Sequence, residues 1–139
     1  MVRGSLKEWR QTMRIDTKDT KNFKVSEFAC KHCGENKIDQ RVIDMSQVIR
    51  DKLGVPVRVN SGYRCEEHNA SVGGVKGSKH TKGLAADLSC SLGAKVMFET
   101  VKNLYAEGKL PDLDYCIRYK WGIHIDCGGK RRTMWEVRA

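Results

Sequence analysis

Two amphipathic helical stretches and four short β-type runs, in mixed order along the chain, predict an α+β domain. Its helices pack against a small, mostly antiparallel sheet. Three observations carry this: apolar residues at helical spacing after residue 38, strict alternation in the run GIHID, and connections too short for parallel crossovers.

The elements follow in order. Residues 1–22 are polar and weakly patterned and read as an arm with one short helix, ahead of a single domain over 23–139. Ile38, Val42, Met45, Ile49 and Leu53 form one stripe, with Asp39 able to cap the start and Gly54 the end, which predicts a helix over 40–53. VPVRVN at 55–60 is β-type, and 66–72 reads as a short helix after a turn. The segment 73–83 is rich in glycine and polar residues and reads as a loop. LAADLS at 84–89 follows as a strand. Ala94, Met97, Val101 and Leu104 predict a second helix over 92–107, with Gly108 beyond it. Runs at 114–119 and 122–127 close the pattern as a hairpin, in which Ile123 and Ile125 face the core while His124 and Asp126 face out of it.

The composition is 40% hydrophobic and 31% charged, which excludes a disordered or membrane-embedded chain. No run approaches the roughly 18 apolar residues of a membrane span. The first twenty residues carry charges throughout and lack the apolar region of a secretory signal, so export by the standard route is not expected. A net charge of +9 attracts polyanions, but the basic residues are scattered apart from Lys130, Arg131 and Arg132, and a solvated basic surface is the plainer reading.

Six cysteines are too few for a disulfide scaffold. Cys30 and Cys33 form a CxxC around His32 in SEFACKHCGENK, which reads as a loop. No second ligand pair of the kind structural zinc requires is evident, so these thiols are expected to be merely buried or paired. A nucleic-acid role for CKHC as half a zinc knuckle lacks both that pair and neighbouring aromatics, and no nucleic-acid partner is expected.

The chemistry concentrates in SKHTKGLAADLS. His80 lies on a loop and Asp87 on the following strand, and His124 arrives from another strand's polar face. Two imidazoles and one carboxylate are a common set for a catalytic zinc with one position left for water. Each also has a plainer reading, as a surface histidine or a turn-capping aspartate.

The segments SGYRCEEHN, SKHTKGLAAD and GIHID, in this order and from about Phe23 to Trp135, resemble the zinc D-alanyl-D-alanine carboxypeptidase family, whose fold is shared with hedgehog signalling domains. The resemblance implies one zinc ion held by His80, Asp87 and His124. It implies Arg64 as the binder of a substrate carboxylate, and Ser78 as a hydrogen-bonding group for substrate or for a ligand. It implies a bacterial or phage peptidase of peptidoglycan peptides, monomeric; with no export signal evident, it is expected to stay in the cytoplasm until released or exported by another route. Many relatives place a carboxylate three residues before the last zinc histidine or a second histidine two before it. Trp121 and Gly122 stand there instead, and neither accepts a proton. Asp126 is the candidate base, with orientation of a ligand as its equal alternative; Asp114 is a weaker candidate. The same departure admits a zinc-bearing wall-binding module without catalysis.

Overall fold

A computed structural model describes residues 17–129 and 134–138. Most of the N-terminal arm, with its expected helix, and the cluster Lys130, Arg131 and Arg132 lie outside them. The architecture is the expected α+β one, with three α-helices on a five-stranded mixed sheet among the described residues.

Helix α1, Gln40–Leu53, begins where Asp39 accepts a hydrogen bond from Arg41 N (2.9 Å) and ends at Gly54 in the left-handed conformation, φ 71°. The Arg41 guanidinium also forks onto the Asp39 carboxylate at 2.9 and 3.0 Å, which fixes the cap. Val42, Ile43, Met45 and Ile49 form its buried face. Helix α2, Glu66–Ser71, is one short turn and a half capped by Cys65. Helix α3, Ala94–Ala106, buries Met97, Phe98, Val101 and Leu104. Among the described residues no helix is long and apolar enough to cross a membrane.

The strands are β1 Val57–Ser61, β2 Ala85–Cys90, β3 Leu113–Arg118, β4 Ile123–Cys127 and β5 Met134–Val137, in the spatial order β1-β2-β4-β3-β5. The first four pair antiparallel, and β5 adds to β3 in parallel. This last strand was not expected: four residues at the end of the sequence, paired with a strand about twenty residues earlier, carry no local signal. Its Trp135 packs edge-on against Phe98 and Tyr105 of α3, so β5 is anchored by aromatic burial as well as by its ladder.

Register decides which side chains meet. One row across the sheet reads Ser61, Asp87, His124, Ile117 and Glu136, and the neighbouring row reads Ala85, Asp126 and Tyr115. Side chains alternate between faces, so the intervening Ala86, Leu88, Ile123 and Ile125 fall on the other face, where they are buried with α1 and α3. The sheet thus has an apolar helix-covered face and a face that concentrates polar chemistry. Asp114 escapes both rows because β3 bulges between Leu113 and Tyr115.

The loop 73–83 contains a 3-10 turn, Lys79–Lys82, closed by Gly83 at φ 72°. A Cβ at Gly83 would stand 1.9 Å from the Lys37 carbonyl oxygen, and Gly83 O accepts from Asp39 N at 2.8 Å. Gly54 shares the left-handed φ but has open space around it. Gly54→Ala should therefore cost only the backbone strain, about 1–2 kcal/mol. Gly83→Ala should cost clearly more, because backbone must move as well. Urea denaturation of the two variants checks the order, and equal losses would contradict it.

Candidate metal centre

His80 is carried by the 3-10 turn and is almost fully buried. Its Nδ1 lies 2.8 Å from the Gly62 carbonyl oxygen, which can only accept. Nδ1 therefore donates to it, which turns Nε2 toward Asp87 Oδ1 at 3.2 Å. Ser78 caps the same turn, its hydroxyl accepting from His80 N at 3.2 Å. The Ser78 hydroxyl is thus engaged by the backbone of His80.

Asp87 and His124 are direct cross-strand partners on β2 and β4. His124 Nδ1 lies 3.0 Å from Asp87 Oδ1, and its Nε2 lies 2.8 Å from Asp126 Oδ2. Asp126 faces Ala85 across the ladder, and the small alanine leaves room for the carboxylate beneath the imidazole. His80, Asp87 and His124 each offer a ligand atom, and these atoms lie within 4.8 Å of one another. The distances from sequence are 7 and 37 residues, so only the fold brings them together.

The electrostatics follow from this packing. Burial on its own would raise the Asp87 carboxyl, but hydrogen bonds from His124 and His80 hold it well below the usual carboxylate range. Burial would lower His124, yet the carboxylates of Asp126 and Asp87 on its two nitrogens hold it up to about 9. Two imidazole nitrogens and a carboxylate oxygen thus converge on one point, where a bound divalent cation would take the place of the protons they share. The donor set of two imidazoles and a carboxylate is the one zinc takes, and a histidine whose second nitrogen is held by a carboxylate or carbonyl is the usual supporting arrangement. Both histidines have it here.

Arg64 lies beside the cluster. Its guanidinium bonds Asn69 Oδ1 at 2.9 Å and Ser61 Oγ at 3.3 Å, and stands 3.7 Å from Asp87 Oδ2. Asp114 is tied elsewhere: it accepts from Gly129 N and lies 3.9 Å from Lys79 Nζ. Asp126 Oδ1 is buried and, among the described residues, lacks a hydrogen-bond partner. Gly122 cannot be anything larger, since a Cβ would stand 2.1 Å from the Leu88 carbonyl oxygen. Trp121 is exposed and stacks on Tyr119, ring centroids 5.1 Å apart. Sequence reasoning missed the Gly62 carbonyl, Tyr115 and Arg138. Tyr115 was within reach of the β3–β4 alternation, whereas Arg138 depended on the unforeseen β5.

A cavity of about 520 Å³ has Arg64, His80, Asp87, Tyr115, His124, Asp126 and Arg138 on its walls, within the size range of small-ligand sites. A family model described as Peptidase M15 matches residues 21–126. No curated protein matches the sequence.

Removing a ligand and removing a ligand's support should differ in degree. Isothermal titration with zinc is expected to show loss of binding at this centre in His80→Ala, and an affinity about 10–100-fold weaker in Asp126→Asn. Unchanged affinity in Asp126→Asn would contradict the positioning described for its carboxylate.

Proposed function

The chain belongs to the Peptidase M15 family, and from that premise we propose that it is a zinc-dependent peptidase of bacterial peptidoglycan peptides, acting as a carboxypeptidase or as an endopeptidase of the stem or cross-link. The observation that carries this is the convergence of His80, Asp87 and His124 on the wall of an open cavity, with a fixed guanidinium beside them. Zinc bound by these three residues would polarise the scissile carbonyl and lower the pKa of a water to about 7.

The chain's own residues divide the remaining work. Gly62 O and Asp126 hold the two imidazoles so that the other nitrogen of each points toward Asp87. Of the two roles weighed for Asp126, we assign it this positioning role, because one oxygen is engaged by His124 and the other is buried. Tyr115 lines the cavity with its hydroxyl on Glu136, and we assign this pair to proton transfer with the attacking water and leaving amine. Arg64, prebuilt by Asn69 and Ser61, offers a planar fork for a substrate carboxylate. Its 3.7 Å approach to Asp87 also ties substrate recognition to the metal ligand. The stacked Tyr119 and Trp121 form an apolar rim on which a peptide can lie.

The net charge of +9 suits an anionic wall. We read residues 23–139 as the peptidase domain, working as a monomer in a bacterial or phage setting. A wall-binding module without turnover is the second reading, favoured by the crowding that bars any side chain at residue 122.

Purified protein should cleave defined stem peptides in mass-spectrometric assays, lose the activity to a chelator and regain it with zinc. Binding to wall material without any cleavage, at full zinc loading, would favour the module. Arg64→Ala should lower kcat/KM on substrates with a free terminal carboxylate about 10–100-fold, the worth of a charge-assisted hydrogen bond. Amidated substrates should be affected far less. Tyr115→Phe should lower kcat with little change in KM, and equal activity to the parent protein would remove Tyr115 from the mechanism.

A further inference from the structure

The segment that supplies Gly62 and Arg64 runs directly into a second group of metal-ligating atoms. Cys30, Cys33 and Cys65 each offer a sulfur, and the three sulfurs lie within 4.8 Å of one another. All three are free thiols. Sulfurs gathered this closely, from segments about thirty residues apart, need a reason, and apolar packing does not supply one because Cys33 is exposed.

The backbone around them points to bound charge. Residues 30–34 form a tight turn in which Gly34 N donates to Cys30 O at 2.9 Å and Gly34 takes the left-handed conformation, φ 79°. That turn directs the N–H groups of His32 and Cys33 at the Cys30 sulfur, and Cys65 N adds a third at 3.4 Å. His68 N donates to the Cys65 sulfur at 3.3 Å, and the Cys33 sulfur lies 3.6 Å from Glu35 Oε1. The Cys30 and Cys65 sulfurs thus each receive a backbone donor. A neutral thiol is a weak acceptor, whereas convergent N–H groups stabilise thiolate charge. Three adjacent thiolates repel one another unless a cation lies among them.

Two imidazoles complete the surroundings. His32 Nδ1 lies 3.6 Å from the Cys65 sulfur, and the His32 ring stacks on that of His68 with centroids 5.7 Å apart. In sequence the arms are CKHC at 30–33 and CEEH at 65–68. This is the two-pair spacing of a structural zinc site. The second arm escapes a reading of the cysteines alone, because it pairs a cysteine with a histidine at the start of a helix.

We propose that Cys30, Cys33, Cys65 and one imidazole of the His32–His68 pair bind a structural zinc ion, distinct from the ion at His80, Asp87 and His124. The ion ties the loop after Phe28 to the segment after β1. Those segments already meet where Tyr63 N donates to Phe28 O at 2.7 Å and where Gly62 packs against Phe28 too closely for any side chain. The cross-link therefore holds in place the carbonyl that orients His80 and the residue that offers the guanidinium.

Metal counting and cobalt substitution on the full chain, purified under reducing conditions, test this without any peptidase assay. The parent protein should carry two zinc ions. A His80→Ala/His124→Ala variant should keep one, and its cobalt form should show an intense thiolate-to-metal charge-transfer band, which a centre of imidazoles and carboxylate cannot give. A Cys33→Ser/Cys65→Ser variant should lose that band, and His32→Ala/His68→Ala should weaken the cobalt affinity at least about tenfold. Should the cysteine variant fail to fold, the band in the His80/His124 variant still decides. Absence of the band there, with the three thiols fully reactive or found as a disulfide, would overturn the proposal. Because the readout is thiolate ligation, a chain that cleaves no peptide would leave it standing.

Discussion

The register between β2 and β4 is the constraint on which the rest of the site depends. It sets Asp87 opposite His124 and Ala85 opposite Asp126. A slip of one residue would turn His124 into the apolar core and bring an isoleucine to the cluster, since neighbouring side chains point to opposite faces. The register is protected by the same alternation that creates it. Ile123 and Ile125 on β4, with Ala86 and Leu88 on β2, are buried on the helix-covered face, and a slip would expose them to water at about 1.5–3 kcal/mol for each large side chain. The hydrophobic effect on one face of the sheet thus fixes the chemistry on the other.

The third member of the cluster is held by different means. His80 is on no strand. Its position comes from a turn closed by Gly83, from the Ser78 cap and from the Gly62 carbonyl. Gly62 and Gly83 are each pressed against backbone where no Cβ fits. Backbone contact of this kind fixes position more firmly than a long side chain could, because it removes rotamer freedom altogether. Arg64 shares the arrangement, since its own N–H donates to His80 O at 3.0 Å. A displacement of the strand end after Ser61 therefore moves a cluster member and the guanidinium together.

Much of this was legible in the residues. The stripe from Ile38 to Leu53, with Asp39 and Gly54 at its ends, gave α1 its bounds, and the alternation in GIHID put His124 and Asp126 on one polar face. What the sequence could not carry was pairing at a distance. Strand β5 has four residues and depends on aromatic burial against α3. The contact of Asp126 with the far nitrogen of His124, which bears on a choice between base and support, is a matter of side-chain direction. Asp114 looked available from its position on β3, but a bulge turned it toward Lys79 and Gly129. The relation of Cys65 and His68 to Cys30 and Cys33 likewise needed the fold, because a loop, a helix and a strand separate the two arms.

The central claim is that His80, Asp87 and His124 share one zinc ion. Zinc-edge X-ray absorption on a chain whose Cys30, Cys33 and Cys65 are all replaced by serine addresses it directly, because sulfur scattering is then removed from view. The account predicts a bound zinc with a shell of nitrogen and oxygen only and the multiple scattering of two imidazoles. Zinc with one imidazole or none, or a chain that retains no metal after reconstitution, would contradict it.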